Sequence, residues 1–169
     1  MEVKATHEWF KSQEKRTMII ERSAFSGLGE FGSRWLGDNF SRAPYMGYSV
    51  TGIMAHNVIG IPLAGSDICG FIENTTPELC ARWHTVGAFY PFSRNHNAIG
   101  NNPQEPYMFT EDVYEGTTTF FDVMRRSMRV KYSMVRYYYT QLHSIHRQGG
   151  SLYKPLFFEF PDDDSAYLD

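Results

Sequence analysis

Short apolar stretches alternate with longer amphipathic ones along the 169-residue chain. Three of the short stretches, 17–20, 61–65 and 152–160, predict β-strands. Apolar positions spaced about 3.6 residues apart predict helices around them. These predicted helices cover residues 6–13, 45–57, 76–89 and 117–147. Because strand, loop and helix follow one another repeatedly, the pattern predicts an α/β fold.

Capping residues and glycines support the predicted element boundaries. Thr76 followed by Pro77 is typical of a helix start, and Gly60 and the pair Gly149-Gly150 are typical of helix ends. A glycine-rich loop is predicted over residues 26–39. Polar and charged candidates follow the strands, which is the arrangement of a TIM barrel, whose sites lie at the carboxyl ends of its strands.

Charge and composition exclude two classes of partner. The net charge is only −3, and Lys and Arg are scattered without a basic stripe, so we expect no nucleic-acid partner. No run of about 18 apolar residues occurs, so we expect no transmembrane segment in this chain. Aromatic residues make up 16% of the chain, which suits a carbohydrate site, although most of them are expected to pack a core.

The loop after the first predicted strand carries the most informative residues. Arg22 follows that strand, and Trp35 and Asp38 share the segment Trp35-Leu36-Gly37-Asp38. A sugar ring needs an aromatic face for its C–H surface, and a glycosidic oxygen needs a carboxylic acid to protonate it as it leaves. A lone Asp in Gly-Asp-Asn is also an ordinary turn residue. The loop therefore allows either a catalytic or a structural interpretation.

Further motifs of the same kind follow in a fixed order. They are Gly65-Ser66-Asp67-Ile68-Cys69-Gly70-Phe71, Gly87-Ala88-Phe89-Tyr90-Pro91-Phe92, Arg94-Asn95-His96-Asn97, Gln104-Glu105-Pro106 and Pro155-Leu156-Phe157-Phe158-Glu159-Phe160-Pro161. Together with the Asp38 loop, the set resembles the second half of the catalytic domain of glycoside hydrolase family 31, in its lysosomal and intestinal α-glucosidase branch. The resemblance covers residues 5–164.

This resemblance implies a reaction, a fold and a set of site residues. The reaction is retaining hydrolysis of α-glucosides from the non-reducing end, with an oligosaccharide or α-glucoside as substrate and no cofactor. Asp38 would be the general acid/base. The substrate-binding residues would be Arg22, Trp35, Asp67, Phe71 and His96. The family's nucleophile lies in a Trp-x-Asp-Met-Asn-Glu element, and no such element occurs in these residues.

The same resemblance implies how the chain relates to a complete barrel. Its three predicted strands would be the sixth, seventh and eighth of a (β/α)8 barrel, so the chain would be part of a TIM barrel. Residues 1–161 would form the carboxyl-terminal part of the catalytic barrel. Residues 162–169 would begin the connection to a following β domain.

Two cysteines bracket a glycosylation pattern. Cys69 and Cys80 are the only cysteines, and Asn74-Thr75-Thr76 between them is an acceptor sequence for N-glycosylation. From composition alone, free buried thiols are at least as plausible as a disulfide. The family resemblance favours the disulfide, glycosylation at Asn74 and a place in the secretory pathway, although residues 1–4 do not form a secretory signal. The second acceptor sequence, at Asn39, adjoins Asp38 and is expected to be too crowded for modification.

One alternative can be set aside from the sequence, and two remain open. His143 and His146 lie three residues apart on a predicted helix, but no third ligand is near, so we expect no metal site. The chain could be a noncatalytic sugar-binding fragment, because it lacks the nucleophile element. It could also belong to an α-xylosidase or an α-glucan lyase on the same scaffold.

Overall fold

Short parallel strands in chain order form the centre of the computed structural model, which describes residues 2–114 and 118–168. Strands β1, β2 and β3 form one parallel sheet, and β4 pairs in parallel with β5. Ser66 alone separates β3 from β4, so four successive chain segments lie side by side. The strand bounds are β1 Ile20–Glu21, β2 Ser33–Trp35, β3 Ala64–Gly65, β4 Asp67–Ile68 and β5 Arg94–Asn95.

Helices connect these strands and follow them. The bounds are α1 Glu2–Ser12, α2 Ala43–Val58, α3 Pro77–Gly87, α4 Phe120–Ser133 and α5 Val135–Gln148. The predicted helices at 45–57 and 76–89 are therefore confirmed, and the backbone N–H of Leu79 donates to Thr76 Oγ1 at 3.2 Å, as an N-cap requires. A hairpin of β6 Asp112–Tyr114 and β7 Thr118–Thr119 precedes α4.

The single long helix predicted over 117–147 is wrong. Residue 117 lies outside the described residues, and α4 starts at Phe120 behind a capping box formed by Thr119 and Asp122. The helix is interrupted at Met134, whose N–H is shared between the carbonyls of Lys131 and Val130. The Ser133 hydroxyl also donates to the Val130 carbonyl, at 2.7 Å, and competes with the regular helical bond.

The strand predicted over 152–160 is also wrong. A single 3-10 turn, Leu156–Phe158, follows Pro155, which has no N–H to donate to a neighbouring strand. The backbone N–H groups of Leu152 and Tyr153 instead donate to Asn57 Oδ1, each at 2.9 Å. This segment is thereby tied to the end of α2.

The predicted loop over 26–39 contains a strand that the sequence pattern did not reveal. Strand β2 occupies three residues of it, and β5 occupies two residues that we did not predict as a strand. Elements this short show no alternation of apolar and polar positions, so the pattern cannot distinguish them from loops.

The core lies where α2, α3 and α4 pack against β3 and β4. Ile53, Ile68, Trp83, Tyr90 and Met124 are almost fully buried there. The indole Nε1 of Trp83 donates to the Tyr90 hydroxyl at 3.1 Å, which satisfies both buried polar groups. In the described part of the chain, no helix has the length and apolar character needed to cross a membrane.

Candidate active site

The predicted site residues converge on the carboxyl ends of the parallel strands. Arg22 directly follows β1, Trp35 ends β2, Asp67 comes two residues after the end of β3 and His96 directly follows β5. Because parallel strands end at the same edge of a sheet, residues from distant parts of the chain meet there. The structure thus brings together all of the residues that the resemblance implied for substrate binding.

An ion pair between Arg22 and Asp38 joins the segment after β1 to the segment after β2. Arg22 Nη2 donates to Asp38 Oδ2 at 3.0 Å, and the two side chains are 60% and 30% exposed. Gly37 makes this approach possible. Its φ of 84° lies in the left-handed region, and a Cβ at this position would stand 2.7 Å from Arg22 Nε. The carboxylate of Asp38 therefore stays accessible while a cation fixes it.

The Trp35 ring lies near two cations. The guanidinium carbon of Arg94 stands 4.8 Å from the ring centroid and that of Arg22 stands 5.9 Å from it, both within cation–π range. The indole Nε1 donates to Asp67 Oδ1 at 2.8 Å. These contacts hold the ring in one orientation at the edge of the site.

Asp67 is a fully buried carboxyl group with an unusual protonation equilibrium. Burial raises the pKa of Asp67 to about 7, although the hydrogen bond from Trp35 and the charge of Arg94 act in the opposite direction. Its Oδ2 atom has no hydrogen-bond partner among the described residues. The group can therefore donate or accept a further hydrogen bond close to neutral pH.

His96 lies between two aromatic side chains. Its ring centroid stands 4.9 Å from that of Phe71 and 6.0 Å from that of Trp35. Burial and the nearby Arg94 lower the pKa of His96, so the neutral imidazole is favoured. A neutral imidazole offers one donor and one acceptor nitrogen, which suits hydrogen bonds to sugar hydroxyls.

Asn39 links the acid loop to the neighbouring strand, a role that the sequence analysis missed. Its Nδ2 donates to Ser66 Oγ and to the Asp67 carbonyl, each at 2.9 Å. Its Oδ1 accepts from the Phe71 backbone N–H at 3.1 Å. The side-chain amide is engaged and the residue is only 9% exposed, so there is little room for a glycan at Asn39.

The cysteine prediction is confirmed. Cys69 and Cys80 form a disulfide that joins the end of β4 to α3. His84 lies beside them. Among the described residues, these three side chains have possible ligand atoms close enough together to hold a metal ion. The two sulfur atoms are bonded to each other, so neither offers a thiolate to an ion. Asn74 is exposed within the closed loop, where its Oδ1 accepts from the Asn102 N–H at 2.7 Å.

Parallel strands with polar and charged residues at their carboxyl ends are the arrangement expected of part of a TIM-barrel domain. Comparison with known families agrees. The family model described as "Glycosyl hydrolases family 31 TIM-barrel domain" matches residues 1–141. The chain belongs to glycoside hydrolase family 31.

Individual relatives cover nearly all of this chain. It is 43% identical over 157 residues to lysosomal alpha-glucosidase of Bos taurus and 46% identical over 156 residues to lysosomal acid alpha-glucosidase of Tetrahymena pyriformis. These matches cover 93% and 92% of the chain but only 16% of each relative, so it spans about a sixth of their length. The crystal structure of a family 31 alpha-glucosidase from Bacteroides thetaiotaomicron superimposes with a TM-score of 0.85 at 33% identity, over 99% of this chain and 28% of that one.

Proposed function

We propose that this chain is part of a retaining α-glucosidase that releases glucose from the non-reducing end of α-linked glucosides. The observation that carries the proposal is the Arg22–Asp38 ion pair beside the Trp35 ring, at the strand ends of a family 31 barrel domain. The names of the bovine and Tetrahymena relatives support the choice of α-glucosides.

Asp38 is the general acid/base of the proposed reaction. It protonates the glycosidic oxygen as the bond breaks and then takes a proton from the water that cleaves the glycosyl-enzyme intermediate. Its 30% exposed side chain leaves room for a leaving group and a water molecule. The nucleophile lies outside this chain, on a carboxylate about 5–5.5 Å from Asp38 in the general retaining geometry.

The remaining residues hold the innermost sugar. Trp35 stacks on the C–H face of the ring, and Phe71 forms the outer wall of the site. Arg22 and His96 bond to sugar hydroxyls. Asp67, which is fully buried and accepts a hydrogen bond from the Trp35 indole, orients that ring beside the sugar.

The chain supplies a late part of the barrel through four parallel segments, in place of the three strands predicted, since residues 152–160 form no strand. Residues 1–161 complete the carboxyl-terminal part of the catalytic domain, and residues 162–169 lead to a following β domain. The disulfide and the exposed acceptor residue Asn74 support a protein of the secretory pathway that is glycosylated at Asn74. The lysosomal names of the relatives agree with this location.

The test uses the full-length protein that contains this chain. We expect it to cleave maltose in ¹⁸O-labelled water and to place the label in the released glucose, whose first detected anomer is α. An α-glucan lyase would release product without label, and an α-xylosidase would prefer an α-xyloside. Cleavage that is retained in full by the Asp38→Ala variant would overturn the assignment of the acid/base.

A further inference from the structure

Gln104 is a buried amide directly behind the wall formed by Phe71 and His96. It is 4% exposed, and its Nε2 lies within hydrogen-bond distance of acceptors on two chain segments. The two N–H groups of Nε2 are shared among Asn95 Oδ1 at 2.9 Å, the Gly70 carbonyl at 3.1 Å and the His96 carbonyl at 3.2 Å. The segments after β4 and after β5 are therefore joined at one nitrogen atom.

The arrangement of acceptors fixes the orientation of this amide. The opposite orientation would bring Oε1 toward three oxygen atoms and leave all of them without a donor. Asn95 returns a hydrogen bond to Gln104, because its Nδ2 donates to the backbone carbonyl of Gln104 at 2.9 Å. The two residues thus bond to each other in both directions.

Both backbone carbonyls held by Gln104 belong to the substrate wall. Gly70 directly precedes Phe71, and the His96 carbonyl is part of the residue whose ring packs between Phe71 and Trp35. The Cys69–Cys80 disulfide adjoins the same network, since Cys69 precedes Gly70 and Cys80 Sγ lies 4.0 Å from the Gln104 carbonyl. One side of the wall is therefore anchored covalently, and Gln104 connects the other side to it.

We propose that Gln104 is a positioning residue of the active site, which sets the affinity for the innermost sugar by fixing His96 and Phe71 relative to Trp35. This inference rests on the proposed function. Gln104 does not touch substrate. It acts through the two carbonyl groups, so its removal displaces the wall and leaves the chemistry of Asp38 unchanged.

The experiment is a double-mutant cycle in the full-length protein. Gln104→Met keeps the length of the side chain and removes its donors, and Gln148→Met at an exposed position is the matched control. We expect Gln104→Met to lower kcat/KM for maltose on the order of 10-fold, mainly through a higher KM. In the His96→Ala background the same substitution should lower kcat/KM by less than about 3-fold, because the two changes act on one wall.

Additive effects of the two substitutions would overturn the inference, as would an unchanged KM in a folded Gln104→Met variant. If that variant does not fold, Asn95→Ala replaces it in the cycle, since it removes one partner of Gln104 and keeps both backbone bonds. Additive effects of Asn95→Ala and His96→Ala would also overturn the inference. An inactive wild-type protein would instead refute the proposed function, so the two failures are distinguishable.

Discussion

Trp35 and Asp67 are joined by a hydrogen bond of 2.8 Å from the indole Nε1 to the carboxyl Oδ1, although 32 residues separate them in the chain. The bond couples the orientation of an aromatic face on β2 to the protonation of a buried carboxyl on β4. Because an N–H donor stabilises the ionised carboxylate, the bond offsets part of the cost of burying it. The bond thus connects β2 to β4, two strands that do not pair through their backbones, since β2 pairs with β1 and β3 and β4 pairs with β5.

The first prediction concerns the pH dependence that this buried carboxyl imposes. The pKa of Asp67 in the folded protein is about 7, against 3.8 for the ordinary group. The folded state therefore holds this proton at pH values where the unfolded chain has released it. Its contribution to stability is complete below the unfolded pKa and is lost as the pH rises through about 7, with an upper limit of about 4 kcal/mol.

Replacing the carboxyl by an amide should remove this dependence. We expect the melting-temperature advantage of the wild-type protein over Asp67→Asn to shrink as the pH rises from 4 to 7.5. Buried His84, whose pKa is lowered to about 4 by desolvation, acts in the opposite sense and is common to both proteins, so it cancels in the difference. Asp162→Asn, at an exposed position, is the control. A difference that does not change with pH would contradict the prediction.

The second prediction compares two glycines. Gly37→Ala introduces a Cβ 2.7 Å from Arg22 Nε at a φ of 84°, so the Arg22–Asp38 pair must shift and activity on maltose should fall on the order of 10-fold or more. Gly47 lies in α2, and a Cβ there meets nothing within 4 Å. Gly47→Ala should leave activity intact and stabilise the helix by up to about 1 kcal/mol. Equal activity of the two variants would remove the role given to Gly37.

Elements were predicted correctly where the residues that determine them are neighbours in the chain. Helix α3 was predicted because its cap, Thr76, and its first residue, Pro77, adjoin it in the chain. Strands β2 and β5 were missed because their pairing partners lie on other segments and elements of two or three residues have no period.

The same distinction holds for the site. The loop containing Trp35 and Asp38 is recognisable as a contiguous motif. Asn39 and Gln104 were not assigned roles, because their amide groups bond to atoms as far as 32 and 36 residues away, and a lone amide residue carries no sign of such partners. Arg94 was likewise quoted as part of a motif, but its place beside the Trp35 ring emerges only from the folded chain.

The third prediction separates the two steps in which Asp38 takes part. In the full-length protein, Asp38→Ala should lower turnover of maltose by about 10²–10⁴-fold, the usual contribution of general acid catalysis. An aryl glucoside with a good leaving group needs little protonation, so its first step should be affected much less. The rate of aryl release before steady state, compared with maltose turnover, measures this. Equal losses on both substrates would exclude Asp38 as the acid.

The fourth prediction concerns the disulfide. Cys69 and Cys80 are 11 residues apart, and closing so short a loop should stabilise the domain by only about 2–3 kcal/mol. We expect the Cys69→Ser/Cys80→Ser double variant to unfold at lower urea concentration and to show a higher KM, because the bond anchors Phe71. Alkylation of the unreduced, secreted wild-type protein should add no mass. Two alkylated thiols would contradict the structure.

The fifth prediction is that the 169-residue chain, expressed alone, does not hydrolyse α-glucosides. Strands β1 and β5 each pair on one side only among the described residues, which leaves backbone groups at two edges without partners, and poor solubility is the expected result. Even when folded, the chain offers Asp38 without a carboxylate nucleophile, so a retaining double displacement is not available to it. The release of 4-nitrophenol from 4-nitrophenyl α-glucoside measures this directly, with an Asp38→Ala chain as control. Steady turnover that disappears in the control would show that these residues contain a nucleophile, and the assignment of that group to another part of the protein would be wrong.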